Sequence, residues 1–176
     1  MLRLGDLAAL SRSVRRSPCG LSSYVNDDRV RSLHWPEDVV DQLLLELADH
    51  EDIQHDYGHL DLALIAWTVE VLPNATFMTI SGTPSLGDCI ERFAENPEHW
   101  VSSRVSGRHI GVREMWETHG TWKRWPILID RVLTRAGTPG LQVVEGHTRV
   151  GVLRGRTREG RRVADAHLAW VGRARV

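Results

Sequence analysis

The chain has 176 residues, 41% of them apolar and 26% charged, with a formal net charge of −1. That length and composition suit one compact domain with a core of its own, and no apolar run reaches the roughly 18 residues of a membrane helix. The reading therefore excludes a membrane span, and with Cys19 and Cys89 in no C-x-x-C spacing it also excludes a disulfide framework and a cysteine-built zinc site.

The first residues carry an acid, Asp6, and then the Arg12, Arg15, Arg16 cluster, so they lack the apolar centre of a secretory signal and the expected location is cytoplasmic. The small net charge hides an asymmetry. Residues 1–31 hold six Arg against three acids, residues 32–100 one Arg against fourteen, and residues 101–176 fifteen Arg or Lys against six. The block charges are thus +3, −13 and +9, and 21 of the 22 basic residues are Arg. Arg favours bidentate contacts with phosphate or carboxylate. Two readings stand side by side: the blocks neutralise each other inside the fold or across a dimer interface, or the basic block binds an anionic partner such as nucleic acid or an acidic protein.

Three parts follow in chain order. Residues 1–31 are rich in Ser and Arg and read as a loosely held arm with one short amphipathic helix on Leu4, Leu7, Ala8 and Leu10. Residues 32–120 form an acidic, mainly helical segment. Trp35-Pro36-Glu37-Asp38 has the proline and acids of a helix start, and Val39, Val40, Leu43, Leu44 and Leu47 supply its apolar stripe. Another helical pattern runs from about Leu60 to Leu72 and stops at Pro73-Asn74. Cys89, Ile90 and Phe93 mark a short helix ending near Asn96-Pro97, and Val112, Met115 and Trp116 mark another before Gly120.

Residues 121–176 change character. Pro126-Ile127-Leu128-Ile129 and Leu141-Gln142-Val143-Val144 read as buried strands around a dense turn signal at 135–140. After the polar run Glu145-Gly146-His147-Thr148-Arg149, a short helix through Val150, Val152 and Leu153 ends at Gly160, and His167–Val171 reads as a last strand. The expected fold class is α+β, one compact domain overall, with a small mixed sheet.

That polar run has the chemistry of an anion site. Gly146 permits close backbone approach, the free amides of the helix start point outward, and His147, Thr148 and Arg149 add a donor, a hydroxyl and a fixed charge. Glu145 is the candidate base or the carboxylate that orients Arg149. The plainer alternative is a surface helix capped by Thr148, with Glu145 and Arg149 forming a weak exposed pair.

Trp125–Ile129, the turn, and then Leu141 through Leu153 resemble the core of the ParB/sulfiredoxin superfamily, in which a Pro-Ile strand precedes a strand ending in a Gly-x-x-Arg helix start. The likeness covers about the last third of the chain. Gly146 and Arg149 match the motif; His147 stands where sulfiredoxins carry cysteine, and Thr148 replaces an arginine of the ParB loop. The resemblance implies a site for the phosphates of a nucleotide, CTP or ATP with Mg²⁺, held by Gly146, His147, Thr148 and Arg149, with Glu145 and His147 as catalytic candidates for phosphoryl transfer or hydrolysis. Sulfinic-acid reduction needs a loop thiol that is absent here. Fewer than twenty residues follow Gly160, so no helix-turn-helix of a partitioning clamp is expected after the motif. The other class of function left open is a non-catalytic nucleic-acid- or protein-binding module, of the kind that small relatives supply in mobile elements or defence systems. A homodimer fits either.

Outside that core, His50-Glu51-Asp52-Ile53-Gln54-His55-Asp56-Tyr57-Gly58-His59 gathers three histidines among acids. His50 and His55 miss the i, i+4 face of a His-Glu-x-x-His zinc site, and Gly58 interrupts the His55–His59 pair, so a solvated helix end is the expectation and no metal site is assigned. Seven tryptophans against two Phe and two Tyr are unusual, and Trp116, Trp122 and Trp125 flank the basic core. Burial is the stronger expectation for them; stacking on a base is the other.

Overall fold

The computed structural model describes residues 1–105, 108–109 and 112–175. Helical segments open the chain: α1 (Leu4–Val14), α2 (Gly20–Val25), α3 (Asp28–Ser32), α4 (Glu37–Val39), which runs on into a π-helical stretch over Val40–Leu45, and α5 (Glu51–Tyr57). Then come β1 (Ile65–Pro73), α6 (Asn74–Thr79), α7 (Cys89–Ala94), α8 (Pro97–Ser102), the two-residue strands β2 (Arg104–Val105) and β3 (Arg108–His109), and α9 (Arg113–His119). The last part is β4 (Ile127–Asp130), β5 (Leu141–Glu145), α10 (His147–Arg158) and β6 (Ala166–Ala174). Among the described residues no helix is long and apolar enough to cross a membrane.

Local chemistry sets several boundaries. Asp27 accepts from the Arg29 amide at the start of α3, Asn96 accepts from the His99 amide ahead of Pro97 in α8, and Gly120 ends α9 in the left-handed conformation. The α+β class holds: one four-stranded sheet has the order β1-β6-β4-β5, antiparallel except for the parallel β4–β6 pair. Both of its faces are covered. Ile65, Ile127, Ile129 and Val144 face a core made by the N-terminal helices, while Leu128, Val143, Ala169 and Val171 face a second core built on α10, Phe77, Trp116 and Trp122. This period-2 division of apolar residues between two faces turns β4 and β5 into short unbroken apolar runs.

Two expectations change. The segment read as helical from Leu60 to Leu72 is strand from Ile65 onward, because Ile65, Trp67, Val69 and Val71 alternate at period 2 and β6 offers a partner along the whole length. Residues 1–31 are not a loose arm: Leu4, Leu7, Tyr24 and Val30 are all buried in the first core. The helix on Leu4 and Leu7 is where the spacing puts it; Tyr24 and Val30, isolated among polar residues, give no periodic signal that the rest of the segment packs with it.

The charge asymmetry resolves inside the fold. Arg154 and Arg158 pair with Glu91 (2.5 and 2.7 Å), Arg156 and Arg161 pair with Glu98, and Arg124 pairs with Asp38 and Asp41 (2.8 and 2.5 Å), each a basic-block residue on an acidic-block partner. The Arg158 and Arg154 guanidiniums hold the Glu91 carboxyl below its ordinary range, Arg158 contributing most. Arg154 and Arg156 are themselves buried, and Arg156 lies over the Trp116 ring at 5.8 Å.

Helices α7 and α10 touch backbone to side chain through glycine. A Cβ on Gly151 would strike the Phe93 Cβ and lie 2.7 Å from the Ile90 carbonyl, and one on Gly155 would strike the Ala94 carbonyl. Gly151→Ala is therefore expected to destabilise the protein by about 1–2 kcal/mol, overpacking outweighing the gain of about 1 kcal/mol in helix propensity. A denaturation midpoint equal to or above that of the parent would contradict this close approach.

Candidate phosphate-binding site

Strand β5 delivers the chain to Glu145, and the turn into α10 is made at Gly146, whose φ of 97° lies in the left-handed region. A side chain there would also lie 2.7 Å from the Pro126 Cβ, so glycine is required twice over. The helix begins at His147, earlier than its apolar residues indicate, which puts His147, Thr148 and Arg149 in its first turn. Gly146 supplies no side-chain cap. The Val150 amide bonds back to the Gly146 carbonyl (3.0 Å), and the amides of His147, Thr148 and Arg149 have no protein acceptor among the described residues. Thr148 is a first-turn residue and not the cap.

The side chains divide by role. Arg149 is turned into the protein: it donates to the carbonyls of Arg124 (2.8 Å) and Trp125 (3.1 Å), to Gln42 Oε1 (2.9 Å), and to Glu145. Its side chain is only 11% exposed. The Glu145–Arg149 pair is thus half-buried and braced, unlike the loose surface pair the spacing alone allowed. Gln42 extends the brace by donating to Asp38 (2.9 Å) and the Trp125 carbonyl (3.2 Å). Arg124 is pinned by Asp38 and Asp41; burial works against its charge, but the two carboxylates outweigh it and its pKa rises.

His147 is buried, and its Nε2 accepts from the Thr83 amide (3.0 Å). Burial, and secondarily the Arg149 charge, push its pKa down to about 4, so at neutral pH it is an uncharged ring with its proton on Nδ1. Behind it lies a buried polar chain. Gln142 Nε2 donates to the Tyr57 hydroxyl (2.6 Å), Tyr57 is 3.2 Å from Thr83 Oγ1, and Thr83 Oγ1 donates to the Val143 carbonyl (3.1 Å). Burial raises the Tyr57 pKa to about 12, keeping it protonated as that chain requires.

In front of the helix start is an open cavity of about 550 Å³. Glu145 to Arg149 form its floor. Leu86 with Cys89, Arg92 and Phe93 of α7 form one wall; Glu46, Leu47, His50, Asp52 and Ile53 form the other; Arg124 sits at its edge. Burial raises the Cys89 thiol pKa, so this cysteine is a wall and not a nucleophile. Arg92 lines the cavity and has no ion pair among the described residues.

All five residues singled out in the sequence therefore line one cavity, joined by Arg92, which sequence reasoning missed. A signal was present: Arg92 is the one basic residue of the acidic block. The histidine cluster separates instead. His50 precedes α5, His55 lies within it and His59 beyond it, and among the described residues no group of three His, Cys, Asp or Glu side chains is placed to hold a metal ion. Trp116 and Trp122 are core residues, and Trp125 packs on Trp170 at 5.5 Å.

No family model, curated protein or solved structure matches the chain.

Proposed function

We propose that this protein binds a nucleotide, of the ATP or CTP type, by its phosphates at the start of α10. The observation that carries the proposal is the opening of an uncapped helix start onto a cavity of about 550 Å³ whose wall holds an arginine, Arg92, with no ion pair among the described residues. Free amides and the helix dipole favour an anion there. That volume is in the range of small-ligand sites, and the apolar side chains of Leu86, Phe93 and Ile53 suit the less polar end of such a ligand. The resemblance of residues 125–153 to the ParB/sulfiredoxin core supports the same reading.

The roles differ from those the motif alone implies. Backbone amides of His147 and Thr148, with Arg92, contact phosphate; Arg149 positions the loop through its protein acceptors; the His147 ring holds the 83 loop against the helix. A magnesium ion arriving with a triphosphate needs only one or two protein carboxylates, and Glu46, Asp52 and Glu145 line the cavity. Hydrolysis or phosphoryl transfer would draw on Glu145, the carboxylate at the loop.

A binding module working through the arginines of 149–162 is the weaker reading, because five of the six, Arg149, Arg154, Arg156, Arg158 and Arg161, are engaged with acidic side chains of the same chain, leaving Arg162 alone without such a pair among the described residues.

Thermal melting with ATP, CTP and GTP, each with Mg²⁺, tests the proposal. At a hundredfold excess over Kd a ligand adds about 2.7 kcal/mol, a rise of roughly 5–10 °C for a chain of this size. Arg92→Ala is expected to remove that rise while leaving the ligand-free midpoint nearly unchanged, because the residue is exposed and makes no ion pair among the described residues. No shift with any nucleotide overturns the proposal.

A further inference from the structure

The outer edge of β1 carries the second feature that asks for a partner. At the two ends of the β1–β6 ladder the Arg175 amide donates to the Leu64 carbonyl (2.7 Å) and the Asn74 amide to the Asp165 carbonyl (2.8 Å). With the register Ile65↔Ala174 through Pro73↔Ala166, these two bonds fix the parity. Even-numbered residues of β1 turn their amides and carbonyls toward β6, and Trp67, Val69 and Val71 turn theirs outward. Among the described residues those three amides have no acceptor. Val69 and Val71 also expose 41% and 67% of their surface, and Leu168, opposite Val71, exposes 36%. The usual protections of a sheet edge, lysine, a bulge or an internal proline, are missing; Pro73 is at the very end.

We infer that β1 pairs antiparallel with β1 of a second copy, about a two-fold axis at Val69, joining two sheets into one. The strand is self-complementary in that register. Val69 meets the partner's Val69, and Trp67 meets the partner's Val71, a pairing of aromatic with β-branched side chains that stabilises sheets. Glu70, the strand's one ionisable group and already held by Arg173 (3.0 Å), falls opposite the partner's Thr68. An axis moved to Glu70 would set two carboxylates face to face, so charge selects against that slip. Both copies present Val69, Val71 and Leu168 on the same face, so pairing draws the exposed apolar residues into one strip across the junction. An unrelated extended peptide would satisfy the same backbone groups but has no such matched register, which is why a second copy is the occupant assigned.

Light scattering and sedimentation over low to high micromolar concentration are expected to give twice the 19.9 kDa chain mass. The double variant Val69→Lys, Val71→Lys should run at the chain mass with its circular dichroism preserved, since both side chains are exposed, and its melting midpoint should no longer rise with protein concentration. A second measurement reads the register. In a Cys19→Ser background, Val69→Cys should form an intermolecular disulfide with itself, and Val71→Cys, which faces the partner's Trp67, should not. A monomeric parent protein, a dimer that survives the two lysines, or cross-linking through position 71 in place of 69 overturns the inference. Nucleotide binding plays no part in these outcomes.

Discussion

Arg149→Met is expected to destabilise the protein by roughly 3 kcal/mol, which for a chain of this length lowers the melting midpoint by about 6–12 °C. The methionine fills similar space but supplies no donors. Four acceptors lose a donor together: the Arg124 and Trp125 carbonyls before β4, Gln42 Oε1 and the Glu145 carboxylate, of which the Trp125 carbonyl keeps only the Gln42 amide. Removing one member of a half-buried ion pair leaves the other charge without compensation, which is the expensive part. Arg149→Lys should recover little, because an ammonium cannot reach in two directions as a planar fork does. Glu145→Gln should cost about 1 kcal/mol, since the guanidinium keeps its three other acceptors. Urea midpoints order these variants. A small loss for Arg149→Met, with the nucleotide-dependent rise in melting abolished, would instead return Arg149 to direct phosphate contact.

Stability should fall steeply as the pH drops from about 6.5 to about 4. His147 and His167 are both buried, and burial pushes the pKa of each down to about 4 from an unfolded value near 6.5. Between those values the unfolded chain binds more protons than the native one, so stability rises with pH through the window and is lost as pH falls through it. Each histidine contributes roughly 3 kcal/mol over the full range. Neither can be charged in place. His147 accepts from an amide through Nε2, and His167 packs between Phe77 and Trp122 with its Nδ1 on the Thr121 hydroxyl (2.8 Å) and, among the described residues, no partner for Nε2. Glu91, paired with Arg154 and Arg158, and Asp49, paired with Arg15, have lowered carboxyl pKa values and so act only around and below the acidic limit of this range. The slope between pH 6.5 and 5 therefore reports the histidines. His167→Phe should roughly halve it, and an unaltered slope would contradict the burial argument.

The sequence reading served best where apolar residues were contiguous. Strands β4, β5 and β6 and helices α7, α9 and α10 all fall where runs of Val, Ile and Leu or stripes with breakers place them, because burial on both faces leaves a dense signal. Strand β1 failed for the opposite reason. One of its faces is only partly covered, so its alternation is diluted by Thr68, Glu70 and exposed valines, and its hydrophobic residues also satisfy a helical spacing. At the site, the loop was legible because its residues are adjacent in the chain. The cavity was not, since Arg92, Glu46 and Asp52 reach it from separate helices and only packing brings them beside the loop. The inward turn of Arg149 was equally hidden: nothing local announces that Gln42, over a hundred positions away, will accept from it.

The glycine contact between α7 and α10 has a bearing on how the cavity would respond to a ligand. With Gly151 and Gly155 seated on the backbone of α7 and its end, those two helices have no slack between them, and Arg92 and Phe93 ride on the same body as the free amides of the loop. One jaw of the cleft is thereby preset in shape. Any adjustment on ligand entry falls to the opposite jaw, Glu46 through Ile53, which hangs on a π-helical segment and a short turn, and hydrogen exchange should quicken or slow there first.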